Sequence, residues 1–504
     1  MFRETILWST NFIFKPYFSY RLNNLLQINS FYTDFVIFSE ISESQYFNYS
    51  GFLTPFFMTP PLRVRGMQDI FGEYQRYFTF LKKVARHEFR KNGFTRISTP
   101  IVEHKELIVR SAGESSDIVS KEMYTFLDRK DRELILKPES TAGVMRAYLE
   151  YMLEEPQPVY LYYIEPHFRY DRPQKGRYRQ HHQVGAEIIG EVDPVIDAKA
   201  IHIGCSILDG IGLKGQYKLK LNTLATPKER EKYIQELTGF FENKKHLLDE
   251  TDLYRLSTNP LRLLDSKNED TRELLKVAPK ITDFLKKDSK EYYEKVKTYL
   301  GILGVEFEED PLLVRGFDYY CHTVWEWVDG SDRTQNAFGG GGRYDGLSKT
   351  IGYKDVIPGV GFGMGAERLI ETIMDNGIKL KNKDKTHLYF IQLGEEATKL
   401  VLPLDMEART QGLNSLISLG TPSLKVQMKK ANRLGAQYVA IIGIMEAKKG
   451  VCQLKDMVNG TQEEIPLNKL LEHLMMKIDI KSLDFYSPLK DFIIEEKKEE
   501  TIPE

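Results

Sequence analysis

Residues 159–190, VYLYYIEPHFRYDRPQKGRYRQHHQVGAEIIG, decide the fold. The runs 159–170 and 178–190 are strand-like, and the basic turn DRPQKGR joins them. This pattern predicts an antiparallel hairpin. Arg169 lies inside the first apolar run, where a buried guanidinium needs a partner to offset its desolvation. A phosphate or a carboxylate is the natural candidate.

Polar residues with the same signal occur on neighbouring segments. Gln183 and Glu187 lie four residues apart on the return strand and therefore share one face, and an inward-facing carboxylate calls for a hydrogen-bond donor. Arg315, in LLVRGFDYY at 312–320, has apolar residues on both sides, which favours a buried or cleft-lining cation. Each residue taken singly fits a structural role. Their concentration in three strand segments favours a ligand site.

A third segment, PGVGFGMGAERL at 358–369, carries glycine at every second position from 359 to 365. Period two is the spacing of a strand, so the glycines remove every side chain from one face. Gly361, Gly363 and Ala366 formally match the dinucleotide motif GxGxxA, but that motif should open a helix after a strand. A structural glycine-rich strand packed on a helix is the alternative to a ligand-binding surface.

Two neighbouring features bear on that choice. Arg368 follows the glycine-rich strand and puts a permanent cation beside it, as ATP would require. The run AFGGGGRYDGL at 337–347 is not a P-loop, because Gly346 is followed by Leu347 and not by the lysine that such a loop needs. The phosphates are therefore expected on arginines and not on this second glycine run.

Composition sets the broad class. The chain has 504 residues, 41% of them apolar and 28% charged, with a net charge of −2, which predicts a globular protein of two to four domains without global attraction for nucleic acid. Three scattered cysteines support neither a disulfide framework nor a thiolate zinc site, and fit a reducing cytosol. No apolar run is long enough to cross a bilayer.

Changes of composition and pattern predict the domains. Residues 1–57 hold 17 aromatic residues but only three Lys or Arg, and they fit neither a signal peptide nor a transit peptide. Met58 is the preferred translation start, and the residues before it are expected to lie outside the folded core. Helical periodicity begins at Gly72 and a strand is predicted to end at Pro100, while strand signals resume over 312–328. The predicted parts are a catalytic domain at 58–385 with a helical insertion at about 227–300, an α/β domain at 386–476 and a disordered tail at 477–504.

Taken together, the motifs resemble those of class II aminoacyl-tRNA synthetases, and specifically of the bacterial-type histidyl-tRNA synthetase family, over residues 62–474. The matching segments are RGMQDIFGE as motif 1, HFRYDRPQKGRYRQHHQVGAEIIG as motif 2 and GVGFGMGAERL as motif 3. The two histidine-specific signatures, VRGFDYYCHTVWEW and GGGGRYDGL, occur together with KPESTAG. The resemblance implies an α+β fold: a catalytic domain built on an antiparallel sheet flanked by helices, with a helical insertion, and a C-terminal α/β anticodon-binding domain.

The resemblance also implies a binding site for L-histidine. Glu139 and Thr141 are expected to hold its α-amino group, and Gln183 to help position it. Glu187 and Tyr320 would line the imidazole pocket, with two further tyrosines nearby. These are Tyr319 and Tyr344. A substrate without the imidazole nitrogens would leave polar groups unpaired, at a cost of about 1–3 kcal/mol each.

For ATP, the resemblance implies that Arg169 binds the α-phosphate, that Arg177 binds the outer phosphates, and that Arg368 binds the γ-phosphate and covers adenine. Arg315 stands near the α-phosphate. The chemistry that the resemblance implies is ATP-dependent formation of histidyl-adenylate followed by transfer to tRNA(His), assisted by Mg²⁺ with no protein side chain identified as a metal ligand. His181 departs from the family, which has an aromatic there, and stacks less broadly on adenine.

The remaining expectations concern partners and rival functions. Lys425, Lys429 and Arg433 fall on one helical face and are either tRNA contacts or a solvated stripe. The family further implies a cytoplasmic homodimer with no membrane association. The main rival is a catalytically inactive synthetase-like regulator, which would typically lack motif arginines or the anticodon domain. A dinucleotide-dependent oxidoreductase is the other.

Overall fold

The computed structural model describes residues 61–113, 116, 118–330, 337–380, 386–420 and 423–478. The chain divides into two units, Met1–Val64 and Arg65–Glu504, and the elements below belong to the second. The predicted extension 1–57 lies outside the described residues, as does the predicted tail from residue 479 onward. Lys477, the first residue of the predicted tail, is the last residue of a helix.

The helices of the described residues alternate with strands along most of the chain. They are α1 Gly72–Lys91, α2 Lys105–Ala112, α3 Thr141–Tyr151, α4 Pro194–Gly210, α5 Pro227–Glu242, α6 Glu250–Thr258, α7 Glu269–Leu275, α8 Lys287–Ile302, α9 Leu347–Thr350, α10 Ala366–Asp375, α11 Glu395–Thr410, α12 Leu424–Arg433, α13 Ile444–Lys449 and α14 Leu470–Lys477.

The strands form three sheets. They are β1 Thr95–Arg96, β2 Val102–His104, β3 Tyr124–Leu127, β4 Glu133–Leu136, β5 Val159–Phe168, β6 Gln180–Ile189, β7 Tyr217–Thr223, β8 Glu308–Glu309, β9 Cys321–Asp329, β10 Ala337–Arg343, β11 Gly359–Gly365, β12 Leu388–Gln392, β13 Ser415–Ile417, β14 Tyr438–Ile442, β15 Val451–Asp456 and β16 Gln462–Pro466.

The largest sheet has eight strands in the order β1-β5-β6-β11-β10-β9-β7-β8. The six central strands are antiparallel, and only the two short edge strands pair in parallel. The predicted hairpin is confirmed as β5–β6, with Val159 opposite Ile189 and Phe168 opposite Gln180. An antiparallel sheet is the fold class that the sequence predicted.

The glycine-rich strand β11 lies between β6 and β10 and is antiparallel to both. A dinucleotide site of the GxGxxA type requires a parallel strand–helix–strand unit, so this arrangement argues against the oxidoreductase alternative. Along β11, Val360, Phe362 and Met364 are buried in the main core. The intervening glycines therefore face the opposite side of the sheet, as their period-two spacing predicted.

Helices cover the face of the sheet that carries these apolar side chains. Helix α1 begins at Gly72, as predicted, and buries Phe78, Leu81 and Phe89. The ring of Phe89 stacks on that of Tyr162 from β5, with centroids 4.7 Å apart. Helices α4 and α10 contribute to this core. On the glycine face, a second core packs part of the sheet against α3 and α5, and the rest of that face is left for a site.

Two local strand predictions are confirmed only in part, since β9 covers 321–328 of the predicted 312–328. Residues 312–320 form turns and irregular backbone, and strand β9 begins only at Cys321, because the segment leaves the sheet to cross the glycine face. The strand predicted to end at Pro100 is reduced to Thr95–Arg96. The helical character predicted for 227–300 is confirmed by α5–α8.

The C-terminal part has its own five-stranded sheet in the order β13-β12-β14-β15-β16. The first three strands are parallel, and β15 and β16 add an antiparallel edge. Helices α11 and α14 contribute Val401 and Leu474 to its core, which confirms the predicted α/β pattern. The exact domain boundaries remain predictions.

Candidate active site

A cavity of about 760 Å³ lies on the glycine face of the large sheet. Strands β5, β6, β10 and β11 form its floor, and the crossing segment 312–320 forms one wall. Ten of the twelve predicted histidine and ATP residues line it. They are Glu139, Thr141, Arg169, Arg177, His181, Gln183, Arg315, Tyr319, Tyr320 and Arg368. The structure therefore brings together residues that are up to 229 positions apart in the chain (368 − 139).

Glu139 lies at the amino end of α3. Its carboxylate accepts hydrogen bonds from the backbone N–H groups of Thr141 at 2.5 Å and Ala142 at 2.9 Å. These are donors of the first helical turn, which have no partner within the helix. Burial raises the pKa of Glu139, while the two N–H groups and the Arg169 guanidinium oppose that shift. A buried acceptor is thus fixed at the cavity wall.

Glu187 and Tyr344 do not line the cavity, contrary to the sequence prediction. Both are buried and lie one layer behind the wall. Oε2 of Glu187 accepts from the Tyr344 hydroxyl at 2.6 Å, and Oε1 accepts from Thr141 Oγ1 at 2.8 Å and from Tyr163 Oη at 3.3 Å. Thr141 and Tyr163 do face the cavity. Glu187 therefore orients two hydroxyl groups of the wall from behind.

The glycines of β11 make room for these groups. A Cβ at Gly361 would overlap Oε2 of Glu187, and one at Gly359 would overlap the ring of Tyr344. At Gly363, a Cβ would lie 3.3 Å from Oε1 of Gln183. Side chains of the neighbouring strands thus occupy much of the space that the glycines vacate.

The carboxyl of Glu187 should make stability depend on pH. Burial raises its pKa from 4.5 to about 8. The folded state therefore binds the proton more tightly than the unfolded state. The stability that this tighter proton binding contributes is full below pH 4.5 and is lost as the pH rises through 8. The free energy of unfolding falls over this range by up to about 1.4 kcal/mol per pH unit.

Glu187→Gln keeps the size of the side chain and removes the titration. We expect the thermal midpoint of the wild type to fall relative to that of Glu187→Gln as the pH is raised from 5.5 to 8.5. The measurement is thermal unfolding of both proteins across this range. A wild type that gains stability relative to the variant over the same range would contradict the raised pKa.

Arg315 is the cation of the crossing segment. Its Nη1 donates to Oε1 of Glu326 on β9 at 2.9 Å, and its buried Nε has no hydrogen-bond partner among the described residues. A Cβ at Gly340 would lie 2.8 Å from Nη1, so that glycine gives the guanidinium its place. A buried donor without a partner is costly and marks a place for an anionic ligand.

The other three arginines surround the same cavity at the hairpin end. Nε of Arg169 donates to the carbonyl oxygen of Pro138 at 2.9 Å. Arg177 is more exposed and pairs with Asp171 at 3.1 Å. Arg368 lies in the first turn of α10, which follows β11, and donates from Nη1 to the carbonyl of Ala337. Three guanidinium groups at one end of a cavity suit a polyphosphate, since arginine binds phosphate through paired donors.

His181 lies on β6 among these cations. Its ring centroid is 5.8 Å from that of His167. Burial lowers the pKa of His181 to about 3, and the charges of Arg169 and His182 add to the shift. The ring is therefore neutral at physiological pH and presents a flat, uncharged face to the cavity.

Sequence reasoning missed Tyr163 and Glu326. Glu326 stands between two buried tryptophans of β9, and a charged residue inside an apolar strand is the same signal that identified Arg169. Tyr163 lies opposite Gly185 in the hairpin, where a Cβ would overlap the tyrosine hydroxyl. Pairing a large residue with a glycine across the two strands could have indicated it.

The basic stripe predicted in the C-terminal part is present on α12. Lys425, Lys429 and Arg433 are all exposed on this helix, while Gln427 and Ala431 face the core. Within the ranges the structure describes, His, Cys, Asp and Glu form no group of three or more able to hold a metal ion. In that same part of the chain, no helix is long and apolar enough to cross a membrane.

An antiparallel sheet flanked by helices, with a cavity on its glycine face that joins a small polar pocket to an arginine-lined end, defines the catalytic domain of a class II aminoacyl-tRNA synthetase. Family models agree with this class. Residues 66–369 match histidyl-tRNA synthetase, and residues 387–476 match the anticodon binding domain.

Known proteins resemble the chain over most of its length. The histidine–tRNA ligase of Natranaerobius thermophilus is 41% identical over 81% of this chain and 97% of its own. That of Bacillus velezensis is 43% identical over 81% and 97%. The crystal structure of apo S. aureus histidyl-tRNA synthetase is 34% identical, with a TM-score of 0.68 over 82% of this chain and 100% of its own. The chain belongs to the histidyl-tRNA synthetase family.

Proposed function

We propose that the cavity ligates L-histidine to tRNA(His) in the two steps general to this family, with the residues assigned as follows. The observation that carries the assignment is the placement of Glu139 and Thr141 in one cavity with Arg169 and Arg315. An amino acid and a nucleotide can meet there. The retained arginines and the anticodon binding domain favour this function over a catalytically inactive regulator.

The experiment that tests the function is ATP–pyrophosphate exchange with a panel of amino acids. Exchange should depend on histidine and be absent with the other amino acids. An inactive regulator would show no exchange with any of them. Exchange with a different amino acid would overturn the assignment of the pocket.

Glu139 and Thr141 hold the α-amino group, because a carboxylate and a hydroxyl are suited to an ammonium donor. Gln183 positions the amino acid from the floor, and Tyr319 and Tyr320 enclose the imidazole. Glu187 acts in this proposal through the hydroxyls of Thr141 and Tyr163, with Tyr344 as its third partner. A side chain without ring nitrogens would leave polar groups unpaired, so the site selects histidine over apolar amino acids. The polar side chains that face the amino acid in this pocket are those of Glu139, Thr141, Gln183 and Tyr320.

ATP occupies the other end of the cavity. Arg169 and Arg315 contact the α-phosphate, Arg177 the outer phosphates, and Arg368 the γ-phosphate and one face of adenine. His181 stacks on the base as a neutral ring. Mg²⁺ would enter together with ATP and would neutralise part of the phosphate charge, since no protein side chain is assigned as its ligand.

In the first step, a carboxylate oxygen of histidine attacks the α-phosphorus, the new C–O–P bond forms, and pyrophosphate leaves with the electron pair of the broken P–O bond. The terminal ribose hydroxyl of tRNA then attacks the carbonyl carbon and releases its proton, the bond from that carbon to the phosphate oxygen breaks, and AMP departs with the electron pair. Two anions must approach each other in the first step. Clamping by preorganised cations therefore supplies most of the catalysis, and acid–base chemistry supplies little.

The anticodon binding domain holds tRNA through the stripe on α12. Changing Lys425, Lys429 and Arg433 together to Ala should raise the KM for tRNA at least tenfold and leave pyrophosphate exchange unchanged, because exchange needs no tRNA. The salt dependence of tRNA binding should weaken by a log–log slope of about 2, at roughly 0.7 per lost phosphate contact. Lys399→Ala, on a different exposed helix surface, is the control. A triple variant with an unchanged KM would leave the stripe as a solvated surface.

The family relationship further supports a homodimer and a cytoplasmic location as parts of the proposal. Sedimentation of the purified chain tests the first, and fractionation of cells tests the second.

A further inference from the structure

The end of strand β5 holds the segment that carries Glu139 at three points. Glu165 and His167 lie on β5, and Arg169 follows its last residue; the three alternate along the chain, so their side chains point to the same side. Each contacts a different residue of segment 137–140. The contacts are the ion pair of Glu165 with Nζ of Lys137, the 2.7 Å approach of Nε2 of His167 to Oγ of Ser140, and the 2.9 Å hydrogen bond from Nε of Arg169 to the carbonyl oxygen of Pro138. We call Glu165, His167 and Arg169 the strand-end clamp.

Two residues of the clamp, Glu165 and His167, are buried, and so are the residues they contact. His167 and Ser140 are 0% and 1% exposed, and Lys137 and Glu165 are 1% and 6% exposed. Burial lowers the pKa of His167 well below its ordinary value, so the ring is neutral. A buried hydrogen bond of this kind has a defined geometry, because breaking it would leave polar atoms without water.

The clamp encloses Glu139 from both sides. Lys137 and Pro138 are held before it, and Ser140 after it. The backbone N–H of Phe168 also donates to the carbonyl oxygen of Lys137 at 3.0 Å. The carboxylate of Glu139 accepts a hydrogen bond from the backbone N–H of Thr141. A shift of Ser140, which lies between these two residues, therefore moves both the Glu139 carboxylate and the Thr141 hydroxyl.

Arg169 links this segment to the nucleotide end. Its contact with Pro138 uses Nε, and a guanidinium has four further N–H donors on its two Nη atoms. The carbonyl therefore sets the orientation of the guanidinium without using the donors that a phosphate would take. The ATP contact thus does not depend on Ser140.

We propose that the strand-end clamp positions Glu139 and Thr141 for the α-amino group of the amino acid, and that His167 is the positioning residue that acts through Ser140. This inference rests on the proposed function and deepens it. Loss of the contact between His167 and Ser140 affects the amino-acid end of the cavity and spares the ATP end.

The test compares Ser140→Ala and His167→Leu with the wild type in pyrophosphate exchange. Each variant should raise the KM for histidine about five- to tenfold, the effect of one lost buried hydrogen bond, with less than about a twofold change for ATP. Imidazole propionate, which is histidine without its α-amino group, should inhibit all three proteins with similar constants. Ser140→Thr keeps the hydroxyl and should have the wild-type KM for histidine.

Ser415→Ala is the matched control, since it removes another buried serine hydroxyl, bonded at 2.6 Å to Asp405 in the C-terminal part. It should lower the melting temperature without changing either KM. The proposal would be overturned if the KM for histidine and the inhibition constant of imidazole propionate rose equally. An unchanged KM for histidine in a folded variant would also overturn it. It is also overturned if neither variant folds, because the clamp is then a folding requirement. Wild-type exchange with histidine tests the proposed function separately.

Discussion

Replacing Arg315 by Ala should lower the rate of histidine-dependent pyrophosphate exchange by about a thousandfold, the effect of removing one preorganised donor from a developing charge. Arg315 has one carboxylate partner, Glu326 at 2.9 Å, and a buried Nε without a partner among the described residues. In the proposed mechanism this charge faces the α-phosphate, where two anions must meet. Arg315→His should fail similarly, because an imidazole cannot present the guanidinium's paired donors.

The control for Arg315→Ala is Arg409→Ala. It removes an arginine that forms an ion pair with Asp405 on helix α11, in the C-terminal part of the chain. It should retain normal exchange. The melting temperature of Arg315→Ala separates lost chemistry from lost folding. Near-normal exchange by a folded Arg315→Ala would rule out its role at the α-phosphate.

Gly361→Ala should be the most destabilising change on the glycine face, by about 3 kcal/mol or more. The new Cβ would overlap Oε2 of Glu187 and would lie 2.6 Å from the carbonyl oxygen of Ala186. Glu187 is 0% exposed and holds three hydroxyls, so it has no open space to move into. Exchange activity should be lost with the displaced Thr141 hydroxyl.

The same strand supplies a graded series of controls. Gly363→Ala meets Gln183 at 3.3 Å and should cost little stability, whereas the nearest atoms to a Cβ at Gly365 are 3.9 Å away. Gly365→Ala should be neutral or stabilising by up to about 1 kcal/mol, because alanine restricts the unfolded chain. Thermal unfolding of the three variants measures the order. A Gly361 variant as stable as the Gly365 variant would contradict the close packing against Glu187.

Local patterns predicted the elements that have a clear period. The three- and four-residue spacing of Phe78, Leu81, Ala85 and Phe89 identified helix α1, and the period-two glycines identified strand β11 and its glycine face. Charged residues inside apolar runs identified Arg169 and Arg315 as cavity residues. These signals are local, because one strand or helix by itself decides which of its side chains point inward.

Depth and pairing could not be predicted in this way. Glu187 was expected to line the imidazole pocket with Tyr344, and both lie behind the wall. The apolar character of 312–320 indicated a strand, but the segment leaves the sheet and brings Arg315 across the cavity. Which face a residue occupies follows from its own strand, whereas how deep it lies depends on every neighbouring element.

The sequence by itself determined the family, the antiparallel hairpin, the glycine face and the arginines that meet there. Only the tertiary structure decided that Thr141, Tyr163 and Tyr344 share one carboxylate, Glu187. It also decided that His167 reaches Ser140 beside Glu139. The physical reason is that such contacts join residues on different strands and helices, and their geometry is set by sheet order and packing, which the period of any single segment does not encode.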